Sequence, residues 1–191
     1  IGTGGIYLSP ARGGAILRAS LKPTDAFGNT TPSLEVMAYG FDNPYDLDFH
    51  PSGRLFAADG DDATLFGTPW YMPAGLYDIA WLRDHGRTVG YDSNGLKTVF
   101  NRPKSYYDAV PPAVDLGRAA PTGLVVYRHR KFPTAYRGGV FSACWMFGRV
   151  DFLPLKQAGS TFTATKQTFL EVTGDAGYAP VDLAIGPEGD L

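Results

Sequence analysis

Two stretches far apart in this chain carry the same hairpin. "PYDLDFHPSGRL" (44–55) and "PVDLAIGPEGDL" (180–191) align without a gap and share Pro, Asp, Leu, Pro, Gly and Leu at six positions. The first copy alternates apolar and polar residues, breaks at a Pro-Ser-Gly turn and alternates again, which is the pattern of a half-buried antiparallel hairpin. Repetition of one hairpin at long spacing points to copies of a small supersecondary unit packed against one another. One four-stranded propeller blade takes roughly 40 to 50 residues. The copies start 136 residues apart, so the offset predicts three blade steps. A looser relative, "PTGLVVYRHRKFPTAYRGGVFSACW" (121–145), keeps the Pro-x-x-Leu opening and the strand after it, but replaces the tight turn with a basic, Pro-containing excursion.

The rest of the chain reads the same way. "GGIYLSP", "GAILRASL", "SLEVMAYG", "LVVYRH", "GGVFSACW", "RVDFLPL" and "STFTATKQTFLEV" are strand-like runs separated by turn residues. The 24 Gly and 15 Pro are scattered instead of gathered in one linker, as many short strands joined by turns require. "LYDIAWLRDHG" (76–86) has apolar residues at both helical and strand spacing and is bounded by Gly on both sides; it reads as a strand and loop. The expected fold is therefore all-β, a partial propeller over residues 1–191, with innermost strands opening near Pro44, Pro121 and Pro180. "DHGRTVGYDSNGLKTVFNRPKSYYDAVPPAVD" (84–115) has poor periodicity and reads as an insertion lying over one face.

Several function classes are disfavoured by composition. A formal charge of −2 and the lack of a polybasic run leave no electrostatic footprint for nucleic acid or an anionic membrane. No run approaches the roughly 18 apolar residues of a membrane span, and "IGTGGIYLSP" lacks the regions of a signal peptide. One cysteine, Cys144, rules out an internal disulfide and reads as a small buried hydrophobe. The segment also has no haem-attachment motif, no nucleophile elbow and no zinc-type His cluster.

Strand direction sorts the candidate residues. In a blade the innermost strand descends from one face and the next climbs back, so Asn43 and Asp59 share a rim. The same rule brings Pro121, Thr122 and Gly123, Trp145, and Pro180 to Asp182 to that rim. It sends the turns Pro51-Ser52-Gly53 and Pro187-Glu188-Gly189 to the other face, where His50 reads as a turn histidine. "DGDD" offers Asp59, Asp61 and Asp62 as ligands for a hard cation such as calcium, which wants several oxygens. Its spacing fails the calcium-hand loop, and an acidic turn closing a strand is the alternative. Asp46 and Asp182 fall at equivalent positions of two copies, which suggests a repeated hydrogen bond to a neighbouring blade. Trp145, Trp70 and Tyr71 are candidates for stacking on a sugar ring or for ordinary core and rim aromatics.

Three segments carry a resemblance: "GFDNPYDLDFHPSGRLFAADGD", "PPAVDLGRAAPTGLVVYRHRKFPTAYRGGVFSACWMFGRV" and "APVDLAIGPEGDL". They resemble the glucose/sorbosone dehydrogenase family of six-bladed propellers, in the branch of planctomycetes and related bacteria known as membrane-bound dehydrogenases. The most specific matches are Gly-x-x-Asn-Pro at 40–44, Phe-Pro-x-x-Tyr-Arg at 132–137 and Trp-x-x-Gly-Arg-Val at 145–150. The resemblance implies about four blades of a six-bladed propeller, pyrroloquinoline quinone (PQQ) and calcium as cofactors, a sugar or aldehyde substrate, and a periplasmic or extracellular location. By position it implies Asp42, Asn43, Thr122, Trp145 and Arg149 as cofactor-binding residues. The first motif in quinone-dependent members reads Gly-x-Arg-Asn-Pro, so Asp42 stands where a cation is expected. Met146 and Phe147 stand where a lysine is expected, and none of His50, His85 and His129 matches the catalytic histidine.

Two hypotheses follow. One is a quinone- and calcium-dependent sugar or aldehyde dehydrogenase; the other is a propeller without the cofactor, serving as a binding or assembly module. Leu191 falls where the second hairpin copy would start its return strand, so the expectation is a portion of a longer polypeptide. Further blades, or a partner chain, would then pair with the strand edges at both ends.

Overall fold

The computed structural model describes residues 14–23, 30–69, 71–87, 90–91, 97–98, 108–174 and 177–191. The run "GGIYLSP" and Trp70 lie outside these residues. A long hairpin comes first, β1 (Gly14–Pro23) with β2 (Thr30–Phe41). A four-stranded antiparallel sheet follows in the order β3 (Pro44–Phe49), β4 (Leu55–Asp59), β5 (Ala74–Asp78), β8 (Val114–Gly117). Between β5 and β8 the chain makes the short pair β6 (Gly90–Tyr91) and β7 (Lys97–Thr98). A second four-stranded sheet has the order β9 (Pro121–Val126), β10 (Val140–Cys144), β11 (Arg149–Leu153), β14 (Gln167–Glu171). The hairpin β12 (Leu155–Ala158) and β13 (Thr161–Ala164) is inserted before its last strand.

Period-2 alternation explains how these sheets stack. In β4, Phe56 and Ala58 point to one side and Leu55 and Ala57 to the other, and all four are buried. Phe56 and Ala58, with Leu76 and Leu116, meet Leu124, Val126, Val140 and Leu153 of the second sheet. On the opposite side Leu55, Ala57 and Tyr77 pack on Ile16, Ala38 and Phe41 of the leading hairpin. The far side of the second sheet, with Val125, Tyr127, Phe141 and Phe152, is covered by Leu183, Ile185 and Leu191. Four layers therefore succeed one another, and the central strands of both middle sheets are buried on two faces. That is why β4, β5 and β10 show no exposed residue, although sequence alternation alone suggests one polar side. Truncating Phe56 to Ala would remove the largest side chain of the inter-sheet layer, at a cost of about 3–5 kcal/mol.

The innermost strands lie in step. Asp46 Oδ2 of β3 accepts the Leu124 N–H of β9 at 2.7 Å, and Asp48 Oδ2 accepts the Val126 N–H at 2.9 Å. Both pairs advance together, so β3 and β9 run parallel with their proline ends at one face. The segment 180–191 continues the series beside β9: the Thr122 hydroxyl donates to the Pro180 carbonyl at 2.8 Å, and the Tyr127 hydroxyl to the Gly189 carbonyl at 2.6 Å. Its turn repeats that of the first copy bond for bond. His50 N donates to Arg54 O and Gly53 N to His50 O; likewise Gly186 N donates to Asp190 O and Gly189 N to Gly186 O. Gly53 and Gly189 hold φ of +83° and +81°, which a side chain would strain.

These facts settle the architecture as an all-β propeller and correct one expectation. The offset between the two hairpin copies is two blade steps, Pro44 to Pro121 and Pro121 to Pro180, not three. Each step is longer than a bare blade because the first sheet carries a long excursion between β5 and β8 and the second carries β12 and β13. The chain thus contains parts of four successive blades, two of them four-stranded. Residues 180–191 pack as an innermost strand but form no strand ladder among the described residues.

Candidate functional site

Sheet register places the candidate residues at one end. Pro44 pairs with Asp59, Gly117 with Ala74, Pro121 with Cys144 and Cys144 with Arg149. Asn43, Asp59 to Asp62, Arg118, Thr122, Trp145 and Arg149 therefore stand at the proline end of the blades. The Pro51–Gly53 turn lies at the other end. There the Ser52 N–H donates to His50 Nδ1 at 3.1 Å, so His50 braces its own turn.

Asp59 is the centre of this rim. Its side chain is 0% exposed, and its carboxylate accepts the N–H of Asn43 at 2.7 Å and of Asp42 at 3.0 Å. Arg87 Nε, 1% exposed, lies 3.0 Å from Asp59 Oδ2. Burial pushes the Asp59 carboxyl above the ordinary carboxylate range, while Arg87 and the two backbone donors act in the other direction. Burial also opposes the charge on Arg87, but Asp59, then Tyr77 and Asp42, hold its pKa above the usual value. Arg87 reaches this position from the loop after β5. Its backbone N–H donates to the Gly40 carbonyl at 3.0 Å and its Nη2 to the Pro73 carbonyl at 2.9 Å.

Asp61 faces other partners. Asp61 Oδ2 accepts the Tyr71 hydroxyl at 3.0 Å and lies 3.5 Å from Arg118 Nε. Burial, then the bond to Asp61, pushes the Tyr71 phenol to about 12. Asp62 is buried, and its backbone N–H donates to Met72 O. Among the described residues no group of three or more His, Cys, Asp or Glu is arranged to hold a metal ion.

On the second sheet Trp145 opens a 3-10 turn, Trp145–Phe147, closed by Gly148 in the left-handed region. The Trp145 N–H donates to Ala120 O at 3.1 Å, which fixes the turn over the start of β9. The indole is 54% exposed, with Met146 and Phe147 exposed beside it in the chain. Arg149 is engaged: its Nε is 3.0 Å from Asp151 Oδ1, and its guanidinium carbon stands 5.0 Å from the Phe147 ring centre. The Thr122 hydroxyl donates to the Pro180 carbonyl across two innermost strands, so it serves the packing of blades. Asn43 is exposed and Asp42 half-buried.

A fit to the cofactors that the resemblance implies can be tested on these contacts. PQQ carries three carboxylates, whose burial needs positive partners. The rim arginines among the described residues each face an aspartate: Arg87 with Asp59, Arg118 with Asp61, Arg149 with Asp151. Calcium needs six to eight oxygens at one point, whereas Asp59 and Asp61 are already bonded to different partners. The described residues do not fit either group as they stand.

Arg87 escaped sequence reasoning, and His85 entered it only as a histidine that does not match the catalytic one, because both sit in the aperiodic stretch 84–115. The His85 ring stacks on Phe41 with centres 4.7 Å apart and meets Tyr77 edge-on at 5.4 Å. Neither ring nitrogen has a hydrogen-bond partner of good geometry, and burial, opposed by Asp78 and by a contact with the Val110 backbone, lowers its pKa to about 4. The only hint in the sequence is the pairing of acids at 59–62 with a later arginine.

No protein-family model matches the chain, and no curated protein matches it. Solved structures do. A glucose dehydrogenase superposes with a TM-score of 0.59 at 20% identity, covering 81% of this chain and 42% of its own. The soluble aldose sugar dehydrogenase of Escherichia coli, in its apo form, gives a TM-score of 0.56 at 19% identity, again covering 81% of this chain and 42% of its own. This chain thus spans about two fifths of the length of the structures it matches. Together with the in-step innermost strands, these matches show that the chain has the β-propeller fold of the glucose and aldose sugar dehydrogenases.

Proposed function

We propose that this chain is part of a sugar- or aldehyde-handling propeller of the dehydrogenase type, and that its small-molecule ligand binds at the proline-end rim. The observation that carries the reading is the shared rim itself, where the exposed Trp145 indole, the exposed Asn43 and the half-buried Asp42 stand on neighbouring blades. Exposed indoles suit the apolar face of a sugar ring, and amide and carboxylate groups suit its hydroxyls. PQQ and calcium belong to the proposal by resemblance only. A quinone bound here would draw its positive partners from outside the described residues, or from arginines that give up their aspartates. Asn43, Asp42, Thr122, Trp145 and Arg149 would be its neighbours, and Asp59, Asp61 and Asp62 the acids next to any metal. The chain's own rim residues would hold and orient the sugar or aldehyde.

A second reading is a non-catalytic propeller that binds a ligand or a partner within a larger assembly. The engagement of Arg87, Arg118 and Arg149 by aspartates favours it. Absorbance titration of PQQ with calcium into the complete polypeptide separates the two, followed by an assay of aldose-dependent dye reduction. Saturable quinone uptake with turnover supports the dehydrogenase. Sugar binding without quinone uptake supports the binding module. Failure to bind either a quinone or a panel of aldoses would sink the rim as a small-molecule site.

A further inference from the structure

A buried carboxylate is tolerated only when its charge is matched and its lone pairs are filled. At Asp59 both conditions are met from within the chain. Oδ1 takes the Asn43 N–H, Oδ2 takes the Asp42 N–H, and the Arg87 guanidinium stands 3.0 Å from Oδ2. The guanidinium donates from Nη2 to Pro73 O just before β5, while its buried Nε and Nη1 have no hydrogen-bond partner of good geometry and Nε meets Oδ2 as an ion pair; the Arg87 backbone is tied to Gly40 O at the end of β2. Four segments, the end of β2, the end of β4, the approach to β5 and the loop after β5, are thus gathered around one charge pair. A guanidinium is planar, delocalised and weakly hydrated, which suits it to a dry ion pair better than a lysine or a hydrated ion.

We infer that Arg87 is the resident cation of this rim: it fills the place at Asp59 that a bound metal ion would otherwise take, and through Asp59 it fixes the Asp42–Asn43 turn. Arg87 is a positioning residue, because it touches the turn only by way of the Asp59 carboxylate. Two acids of the stretch 59–62 are accordingly matched by arginines of the chain, Asp59 by the buried Arg87 and Asp61 by the half-exposed Arg118. The inference holds whether the rim binds a sugar, a quinone or a protein.

Thermal melting and terbium(III) luminescence on the complete polypeptide test it, with calcium or a chelator added. The wild-type melting temperature is expected to be the same in calcium and in chelator, with no terbium signal that D59N removes. R87M is expected to melt lower than wild type, with part of the loss recovered by R87K, which restores charge without the planar fork. R87M should also acquire a calcium-dependent rise in melting temperature, because its Asp59 is left buried and unmatched. The double variant D59N/R87M, which removes both charges, should recover most of the R87M loss and lose the calcium response. Calcium stabilisation of the wild type that D59N abolishes would overturn the inference, as would an R87M protein that melts like wild type. Should R87M alone fail to fold, the double variant decides: folding of D59N/R87M supports the coupling, and its failure overturns it.

Discussion

Gly123 occupies the position where the other two copies of the repeat carry Asp46 and Asp182, and the backbone of Asp182 passes directly over it. A Cβ on Gly123 would lie 2.5 Å from Asp182 Cα and 2.7 Å from Leu183 N. The looser repeat has therefore exchanged its aspartate for close approach of the next innermost strand. The neighbours are main-chain atoms, which cannot rotate away. Gly123→Ala is expected to destabilise the protein by about 1–3 kcal/mol, read as a lower urea midpoint at unchanged slope. A midpoint equal to wild type would show that segment 180–191 does not pack there.

Asp46 does what Gly123 cannot. Its carboxylate accepts the Leu47 N–H of its own strand and the Leu124 N–H of the next. Asp46→Ala leaves the Leu124 donor without a partner between two packed strands, and a loss of about 1–3 kcal/mol is expected. Asp46→Asn retains a carbonyl acceptor and should lose less. Asp182 makes the same local bond, to the Leu183 N–H, but is exposed. Asp182→Ala should change stability by no more than about 0.5 kcal/mol, and equal losses at the two positions would contradict this account.

His85 should give the protein an acid-sensitive stability. Its folded pKa is lowered to about 4 from 6.5, chiefly by burial, with Asp78 and then the Val110 backbone acting the other way. A lowered histidine favours the folded state above its unfolded value and loses that contribution as pH falls towards the folded one. Between pH 6.5 and about 4 the loss should reach about 3 kcal/mol, from about 1.4 kcal/mol per unit. His85→Phe keeps the ring against Phe41 and Tyr77 and removes the proton. The difference in unfolding free energy between wild type and variant, followed over this window, should fall with pH. A flat difference would mean that the ring is accessible to solvent protons in the folded state.

Trp145 separates binding from stability. Its ring is 54% exposed and its turn is held by backbone bonds. Trp145→Ala should shift the unfolding free energy by no more than about 0.5 kcal/mol. Removing a stacking indole should at the same time weaken sugar binding roughly tenfold, in line with aromatic contacts of about 0.5–1.5 kcal/mol. Calorimetric titration with aldoses measures this. Unchanged affinity would remove Trp145 from the proposed ligand contacts.

The all-β class, the hairpin with its Pro-Ser-Gly turn, and the openings of the innermost strands at Pro44 and Pro121 were legible in the sequence. They depend on local chemistry: alternation sets which side of a strand is buried, and a glycine at positive φ marks a tight turn. The repeat also pointed to the role of Asp46, whose carboxylate bonds the next blade, whereas Asp182 at the same register position is exposed and bonds its own strand, so the bond expected of both is made by Asp46. Blade spacing was not legible, because insertions between β5 and β8 and at β12–β13 lengthen a step without altering the packing of the strands around them. Nor was the fate of Asp59, Asp61 and Asp62. Written side by side they read as one acidic cluster, but successive residues at the end of a strand point in different directions. Which cation Asp59 and Asp61 meet depends on long-range closure. Arg87 reaches Asp59 only because the loop after β5 folds back onto Gly40, an approach that no local pattern in residues 84–115 records. Period and turn residues determined the sheets; the pairing of charges across segments, and with it the character of the rim, was decided by tertiary structure alone.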